Sequence, residues 1–150
     1  MVDPVTRSYM MSRISGKNSN PEMVVRRYLH SRGFRYALHK KNLPGKPDLV
    51  LSKYNLAIFV HGCFWHRHEK CLYSTEPATR VEFWKNKFQG NVERDKRNIQ
   101  ELVRLGWRVL IVWECGLKYS RDRIFELDAI VRDCSGLTEW PKQPVYGPKY

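Results

Sequence analysis

The chain has few acidic residues and no long apolar run. Its 15 Asp and Glu stand against 27 Lys and Arg, which gives a net charge of +12 over 150 residues. No apolar stretch is long enough to cross a bilayer, and the first residues lack the pattern of a secretory signal, so we expect a cytosolic protein without a membrane partner. Internal repeats and low-complexity tracts are also missing, and a hydrophobic content of 42% is typical of a globular domain.

The excess of basic side chains indicates an anionic partner, and nucleic acid is the leading candidate. A solvated basic surface would account for the charge nearly as well. The length fits a single domain. We expect a polar, basic arm over residues 1–19, a folded domain over residues 20–140, and a loose, Pro-rich tail over residues 141–150.

The apolar pattern predicts an α/β domain in which helices flank a mixed β-sheet. Asn20-Pro21-Glu22 is typical of a helix start, and Gly33 of the end of that helix. The other elements expected, in chain order, are strands at 34–39, 48–51 and 56–60, a helix at 80–105 with a candidate break near Gly90, a strand at 107–113 and a last helix at 121–132. The second and third strands form a hairpin, and the segment richest in chemistry follows it directly.

This segment, His61–Cys71, contains three histidines and two cysteines within eleven residues. Imidazoles and thiolates bind zinc, and clustered cysteines in a reducing compartment indicate a metal site before a disulfide. The side chains that would fill a zinc site are Cys63, His68, Cys71 and Cys115. This set leaves His61 and His66 for proton transfer, although all three histidines could instead bind the ion, and the spacing is not that of a common zinc finger. Cys134 is a competing fourth ligand, or a small buried hydrophobe.

Asp48 follows a Pro-Gly-Lys-Pro turn at the start of a predicted strand. A carboxylate there can bind Mg²⁺, which prefers oxygen ligands, although a lone Asp at a turn is more often a cap or an ion-pair partner. The hairpin's second strand ends at His61, so that Asp48 and His61 could face one site. An ion on Asp48, with proton transfer by His61 and His66, would suit the hydrolysis of a phosphodiester.

Two Phe-Trp pairs, Phe64-Trp65 and Phe83-Trp84, lie in polar and basic surroundings. Neighbouring residues point in different directions, so we expect at least one member of each pair in the core. Aromatic side chains can also enter a base stack and kink a duplex, but packing is their commoner role.

Five stretches of the sequence match short motifs of one family. They are Leu43–Asp48, Phe59–His66, Pro77–Trp84, Asn91–Asp95 and Leu105–Cys115. In these motifs the chain resembles the very-short-patch (Vsr) mismatch-repair endonucleases, from the N-terminal arm to about Cys115, whereas the last helix and the tail are not diagnostic. The resemblance implies a fold like that of type II restriction endonucleases, with an altered active site and a structural zinc site.

The resemblance also implies an activity. The family nicks one strand of duplex DNA 5′ to the T of a T:G mismatch, which arises when 5-methylcytosine is deaminated. The implied partners are double-stranded DNA with a T:G mismatch and other mismatch-repair proteins, and the implied place of action is the bacterial nucleoid. A nick in one strand needs only one active site, so we expect a monomer.

By matching position, the resemblance assigns roles at the active site. Asp48 would bind the catalytic Mg²⁺ together with the main-chain carbonyl of Val60. His61 and His66 would be catalytic, with His66 as the base that activates water. Glu22, on the first helix, would support that site.

The resemblance further assigns the zinc ligands and the DNA contacts. The structural Zn²⁺ would be bound by Cys63, His68, Cys71 and Cys115. An aromatic wedge would enter the major groove, a residue of the arm would reach from the other side, and two residues one helical turn apart would read the mismatched pair. These are Phe64, Trp65 and Trp84 for the wedge, Met11 for the arm, and Lys87 and Asn91 for the mismatch.

Two departures from the family pattern bear on these roles. The family has Thr where Val60 stands, which leaves the backbone oxygen in place but removes a hydroxyl. The family also has one residue fewer between the last two zinc ligands of the loop, His68 and Cys71. The extra residue requires a bulge, and failing that His66 or Cys134 would take over as a ligand.

Three other functions fit the residues. They are an endonuclease of the same fold with another DNA target, a non-catalytic zinc-stabilised DNA-binding module, and a zinc hydrolase. A catalytic zinc keeps three protein ligands and one open position, whereas four candidate ligands are present here.

Overall fold

The computed structural model of the chain describes residues 20–133 and 135–143. Within them, five strands form one sheet in the order β1-β2-β3-β4-β5, with helices on both faces. The strands are β1 Ala37–Leu38, β2 Leu49–Leu51, β3 Leu56–His61, β4 Arg108–Trp113 and β5 Leu137–Trp140. The helices are α1 Asn20–Ser31, α2 Val81–Arg104, α3 Glu114–Tyr119 and α4 Glu126–Arg132, with 3-10 turns at Ser52–Tyr54 and Arg121–Arg123.

The sheet is mixed, as the sequence predicts. β1, β2 and β3 are antiparallel neighbours, and β3, β4 and β5 run parallel. Because Leu56 pairs with Arg108 and His61 with Trp113, the two central strands start and end together. Loops that follow parallel strands meet at one end of a sheet, so the residues after β3 and β4 lie close to each other.

Alternate side chains of the central strands enter two separate cores, one on each face of the sheet. One core holds Leu56, Ile58, Leu110 and Val112 with the inner faces of α1 and α4. The other holds Ala57, Phe59, Val109 and Ile111 with Leu102 of α2 and three cysteines. Since β4 is buried on both faces, its apolar run is continuous, as expected for a central parallel strand.

The two longest helices end in the same way. Gly33 (φ +84°) and Gly106 (φ +94°) take the left-handed conformation that glycine adopts without steric cost. The next N–H in each case donates to the carbonyl five residues back, Phe34 to Leu29 and Trp107 to Leu102, both at 3.0 Å. These glycine caps turn the chain from α1 towards β1 and from α2 into β4.

Several predicted boundaries were wrong. The first strand is only Ala37–Leu38, and the expected last helix divides into the 3-10 turn Arg121–Arg123 and α4. The expected break at Gly90 is absent, because α2 continues from Val81 to Arg104 through it. A glycine inside a helix costs about 1 kcal/mol relative to alanine, which the packing of a 24-residue helix outweighs. The sequence predicted neither α3 nor β5.

Among the described residues, none of the helices combines the length and the apolar character that a bilayer crossing requires.

Candidate active site

Asp48 and His61 meet at one end of the hairpin. Leu49 pairs with Ile58 in the antiparallel register, so Asp48 lies beside the end of β3. Its carboxylate accepts a hydrogen bond from the backbone N–H of Val60 at 2.7 Å, one residue before His61. The backbone hydrogen-bonding pattern therefore fixes the carboxylate next to the strand end that carries the histidine.

Asp48 is an unusual carboxyl group because it is largely buried. The pKa of Asp48 is raised to about 7, chiefly because burial disfavours the charged form. The hydrogen bond from Val60 lowers the pKa by less than this, and the nearby negative charge of Glu22 raises it further. Burial disfavours the ionised form of such a carboxyl group, and a bound cation stabilises that form. The electrostatics therefore fit the predicted role of Asp48 as a metal ligand.

Only 4% of the surface of His61 is exposed. Its ring stacks on that of His66, with the centroids 3.7 Å apart and the planes inclined by 5°. Its Nδ1 has no hydrogen-bond partner among the described residues. Burial lowers the pKa of His61 well below its usual value, and the neighbouring His66 and His68 lower it further. His61 is therefore a neutral imidazole with one unsatisfied nitrogen.

His66 is held by a carboxylate that the sequence analysis assigned no role. Its Nδ1 lies 2.6 Å from Oδ2 of Asp95 on α2. Such a contact fixes the ring orientation and the tautomer, leaving Nε2 for chemistry. In the sequence, Asp95 is marked only by its place four residues after Asn91, on the same helical face, which does not distinguish it from other acidic residues on helices.

Glu22, on α1, lies close to Asp48, and only 2% of its surface is exposed. Its carboxylate contacts His39 Nε2 at 2.9 Å and Arg26 at 3.4 Å. No motif in the sequence marks His39 as a site residue. Glu22, His39 and Asp48 each present a potential ligand atom, all within 4.8 Å of one another.

The four predicted zinc ligands converge beside the cleft. Their ligand atoms lie within 4.8 Å of one another, and all four residues are buried. His68 Nδ1 is 3.6 Å from Cys63 Sγ and 3.5 Å from Cys115 Sγ. A tetrahedral zinc ion, with bonds of about 2.3 Å to sulfur and about 2.05 Å to nitrogen, holds two such atoms about 3.6 Å apart. The cluster thus fits zinc in donor type, in number of ligands and in spacing.

The extra residue between His68 and Cys71 is absorbed locally. Lys70 takes a left-handed conformation (φ +59°), and Cys71 N–H donates to the His68 carbonyl at 3.3 Å. The bulge brings Cys71 to the cluster, while His66 is bound to Asp95 instead. Cys134, the other alternative ligand, lies outside the described residues, as does Met11.

The thiols of the cluster are chemically suited to a cation. The hydrogen bond with Cys115, followed by burial, raises the pKa of Cys63 far above its usual range, and burial raises that of Cys71. Buried thiols that resist ionisation on their own become thiolates when a metal ion compensates their charge. We therefore expect metal binding by these four residues to be coupled to folding.

Five aromatic side chains form one cluster outside the two cores. Phe64 contacts Trp65, Trp84 and Phe88 edge to face, with centroids 5.1–5.9 Å apart. The expectation of a core residue in each Phe-Trp pair was wrong, since Phe83 is 45% exposed and the other three are half-buried. Of the five rings, Phe88 is the buried one, because the two Phe-Trp pairs pack on one another and on Phe88.

Arg67 connects this cluster to the loop beyond the cysteines. Its guanidinium lies over the Phe88 ring, 4.0 Å from the centroid, and donates to the carbonyls of Ser74 and Thr75. Stacking and hydrogen bonding by one planar group hold the aromatic side chains against the metal-type cluster.

An open cleft of about 1590 Å³ contains three of the four predicted catalytic residues, and Glu22 does not line it. Asp48, His61, His66 and Asp95 line it together with Phe64 and Trp65. Its basic side chains are Lys41, Lys46, Lys87, Arg94, Lys118 and Arg121. Lys87 and Asn91, predicted to read a base pair, both line it, and Asn91 also donates to the Trp65 carbonyl at 3.1 Å.

The fold and the cleft together define a class of protein. A carboxylate and two histidines at one end of a mixed sheet, framed by basic and aromatic side chains, are typical of enzymes that hydrolyse nucleic-acid phosphodiesters. The family model described as DNA mismatch endonuclease Vsr matches residues 1–72.

Curated relatives agree with that match. The DNA mismatch endonuclease Vsr of Escherichia coli is 47% identical over 116 residues, which cover 77% of this chain and 74% of the relative. The type II nicking enzyme V.XorIIP of Xanthomonas oryzae is 45% identical over 116 residues, covering 77% and 85%. V.NmeAIP of Neisseria meningitidis, also named a type II nicking enzyme, is 42% identical over 130 residues, covering 85% and 92%. The chain belongs to the Vsr family of DNA endonucleases.

Proposed function

We propose that the protein nicks one strand of duplex DNA 5′ to the T of a T:G mismatch, in a reaction that depends on Mg²⁺. The observation that carries the proposal is that Asp48, His61 and His66 line a single cleft. Membership of the Vsr family supports DNA as the substrate, and the name of the E. coli relative supports a mismatch within it.

Asp48 would hold the ion, with Glu22 close by and the carbonyl of Val60 as a further ligand. Two carboxylates, one of them with a pKa raised to about 7, suit a divalent cation with hard-oxygen preference. Bound Mg²⁺ supplies charge neutralisation at the phosphate and a lower pKa for water.

His66 would act as the general base. With Nδ1 fixed by Asp95, its Nε2 takes a proton from the water that attacks phosphorus, so that a P–O bond forms as the bond to the leaving oxygen breaks. His61, neutral because of its burial, stacks on His66 and limits the orientation of that ring.

The cleft walls would position the DNA. The basic side chains hold the phosphodiester backbone, and the Phe64, Trp65 and Trp84 rings enter the base stack. A T:G wobble pair costs less to unstack than a Watson–Crick pair, which favours the mismatch. Lys87 and Asn91, one turn apart on α2, contact the mismatched bases.

The remaining parts of the proposal follow from this substrate. The Cys63, His68, Cys71 and Cys115 cluster binds a structural Zn²⁺. One cleft suffices for one nick, so the active form is a monomer, and chromosomal DNA as substrate places the activity in the bacterial cytoplasm. Other mismatch-repair proteins would take over the nicked product.

A strand-resolved cleavage assay tests the proposal. End-labelled duplexes with a T:G mismatch, a C:A mismatch or full pairing are incubated with and without Mg²⁺. We expect one nick, in the T strand of the T:G duplex, only with Mg²⁺. Equal nicking of the paired duplex would indicate another DNA target, and tight binding without any nick would indicate a DNA-binding module.

A further inference from the structure

His39 lies in the metal-type site around Asp48 without an assigned role. It follows β1, and its backbone N–H donates to the Asp48 carbonyl at 3.1 Å, which ties the two residues together across the hairpin. Its Nε2 is 2.9 Å from Glu22 Oε2, and that carboxylate is 2% exposed. The ring is therefore directed towards the buried Glu22 carboxylate while it also lines the cleft.

The spacing of these atoms suits ligands of one ion. An octahedral ion with bonds of about 2.1 Å places neighbouring ligand atoms about 3.0 Å apart and opposite ones about 4.2 Å apart. The contact between His39 and Glu22 matches the first distance, and no pair in the cluster exceeds 4.8 Å. Small side-chain rotations would bring all three atoms onto a single cation.

The charges of the cluster also favour a cation. Glu22 and Asp48 contribute two carboxylates, and the guanidinium of Arg26 lies 3.4 Å from Glu22. A hydrogen bond between His39 and Glu22 satisfies one carboxylate oxygen only. A divalent ion would offset both carboxylates at once and would use the imidazole nitrogen as a ligand.

We propose that His39 is a nitrogen ligand of the ion bound by Asp48, which makes this a site of two carboxylates and one imidazole that binds Mn²⁺ more tightly than Mg²⁺. The proposal rests on the proposed function, which places a divalent ion on Asp48. Mg²⁺ prefers oxygen ligands and gains little from imidazole, whereas first-row transition ions gain affinity from it.

The test measures Mn²⁺ binding to the zinc-loaded protein without DNA. Electron spin-echo modulation detects a ¹⁴N coupling when an imidazole is bound to Mn²⁺, and calorimetry gives the affinities for Mn²⁺ and Mg²⁺. We expect the coupling in the unmodified protein and an affinity for Mn²⁺ at least about tenfold above that for Mg²⁺.

Two variants remove the imidazole in different ways. His39→Asn introduces a residue that tolerates the left-handed backbone found here (φ +47°). His39→Ala is the second variant, used if the first does not fold. Both should lose the ¹⁴N coupling and about tenfold in Mn²⁺ affinity, with Mg²⁺ affinity changed less than about threefold. His30→Ala is the matched control, because His30 is an exposed histidine on α1, and it should keep both.

The outcomes separate the two proposals. A ¹⁴N coupling that persists in His39→Asn, or equal losses of Mn²⁺ and Mg²⁺ affinity, would overturn the role of His39 and leave it a hydrogen-bond partner of Glu22. That result would leave the nicking activity standing. A protein with the expected coupling that nicks no T:G duplex would instead overturn the proposed function.

Discussion

The metal-type cluster of three cysteines and His68 and the catalytic cleft lie side by side, yet they are built on opposite principles. In the cluster, four buried ligand atoms lie within 4.8 Å of one another, and His68 Nδ1 is at the distance from two thiols that a tetrahedral ion requires. In the cleft, Asp48 carries a raised pKa and His61 a buried nitrogen without a partner among the described residues. A complete ligand set stabilises a fold, whereas groups left electrostatically unsatisfied in an open cleft are available to a substrate.

The largest expected effect follows from breaking the cluster. Cys115→Ser removes the ligand that β4 and α3 contribute and so unties the motif loop from the central strands. Structural zinc contributes on the order of 10 kcal/mol to folding, so we expect no zinc and no cooperative thermal unfolding. Elemental analysis and calorimetry measure both.

Cys134→Ser provides the matched control for this prediction. Four ligands are present without Cys134, so this variant should keep one zinc per chain and its melting temperature. Loss of zinc from Cys134→Ser, or a stable zinc-free Cys115→Ser protein, would contradict the assignment of the ligands.

The second effect comes from Asp48→Asn, which should end nicking and stabilise the protein. Nicking should fall by at least about 10³-fold because the ion loses its carboxylate, while DNA affinity is retained. Burial raises the pKa of Asp48 from 3.8 to about 7, so its ionisation opposes folding at neutral pH. Replacing it should raise the free energy of unfolding of the Mg²⁺-free protein by about 2 kcal/mol at pH 8.

The pH dependence gives the sign of this effect. The folded chain keeps the Asp48 proton that the unfolded chain releases near pH 4, so the stability from this group is complete below that pH and is lost as the pH rises to about 7. The gap between Asp48→Asn and the unmodified protein should therefore open between pH 4 and 7. Asp128→Asn is the control. It removes the negative charge and one of the two oxygens that accept from Tyr28 and Arg32, so it should lower stability by about 1 kcal/mol without changing nicking. A gap that does not change with pH would contradict the burial effect.

A third, smaller effect should follow from Asp95→Asn. The amide cannot hold His66 as a carboxylate does, so single-turnover nicking should fall by roughly 10²-fold. Asp95→Glu should recover part of that loss, whereas a purely structural role would show as a change in melting temperature. Glu93→Gln, on the exposed side of the same helix, should change neither quantity. Full activity in Asp95→Asn would exclude a positioning role.

The smallest effect belongs to the cleft wall. Lys87→Ala should weaken DNA binding several-fold and reduce the slope of log affinity against log salt by about one. Lys96→Ala, on α2 but outside the cleft lining, should alter the slope less. Titrations at several salt concentrations provide the comparison, and identical slopes for the two variants would count against the cleft as the DNA-binding surface.

The elements predicted well are those whose signals are local and strong. Asn20-Pro21-Glu22, Gly33 and the apolar run of β4 mark α1 and the central strand almost to the residue. β5 was not predicted because Leu137–Trp140 is an edge strand with mostly exposed side chains, so its sequence shows little apolar alternation. α3 has only six residues, fewer than periodicity can detect.

The sequence indicated the zinc-type ligand set better than it indicated the residues that contact the catalytic candidates. The Cys63, His68, Cys71 and Cys115 set was predictable because thiols and imidazoles have few other reasons to cluster. Asp95 and His39 were not, since acids on helices and histidines in loops are common, and only tertiary contacts distinguish these two. The orientation of His66 towards Asp95 likewise depends on how α2 crosses the sheet.

α2 carries residues proposed for recognition and residues proposed for chemistry on one continuous face. Trp84, Asn91 and Asp95 face the aromatic cluster and the cleft, and the helix has no break between them. At about 1.5 Å per residue, Asp95 lies about 16 Å along the axis from Trp84. In the proposed function, the distance between the bases that Trp84 contacts and the phosphate beside His66 would therefore be a fixed length set by helical rise. One residue inserted after Asn91 would turn Asp95 about 100° away from His66.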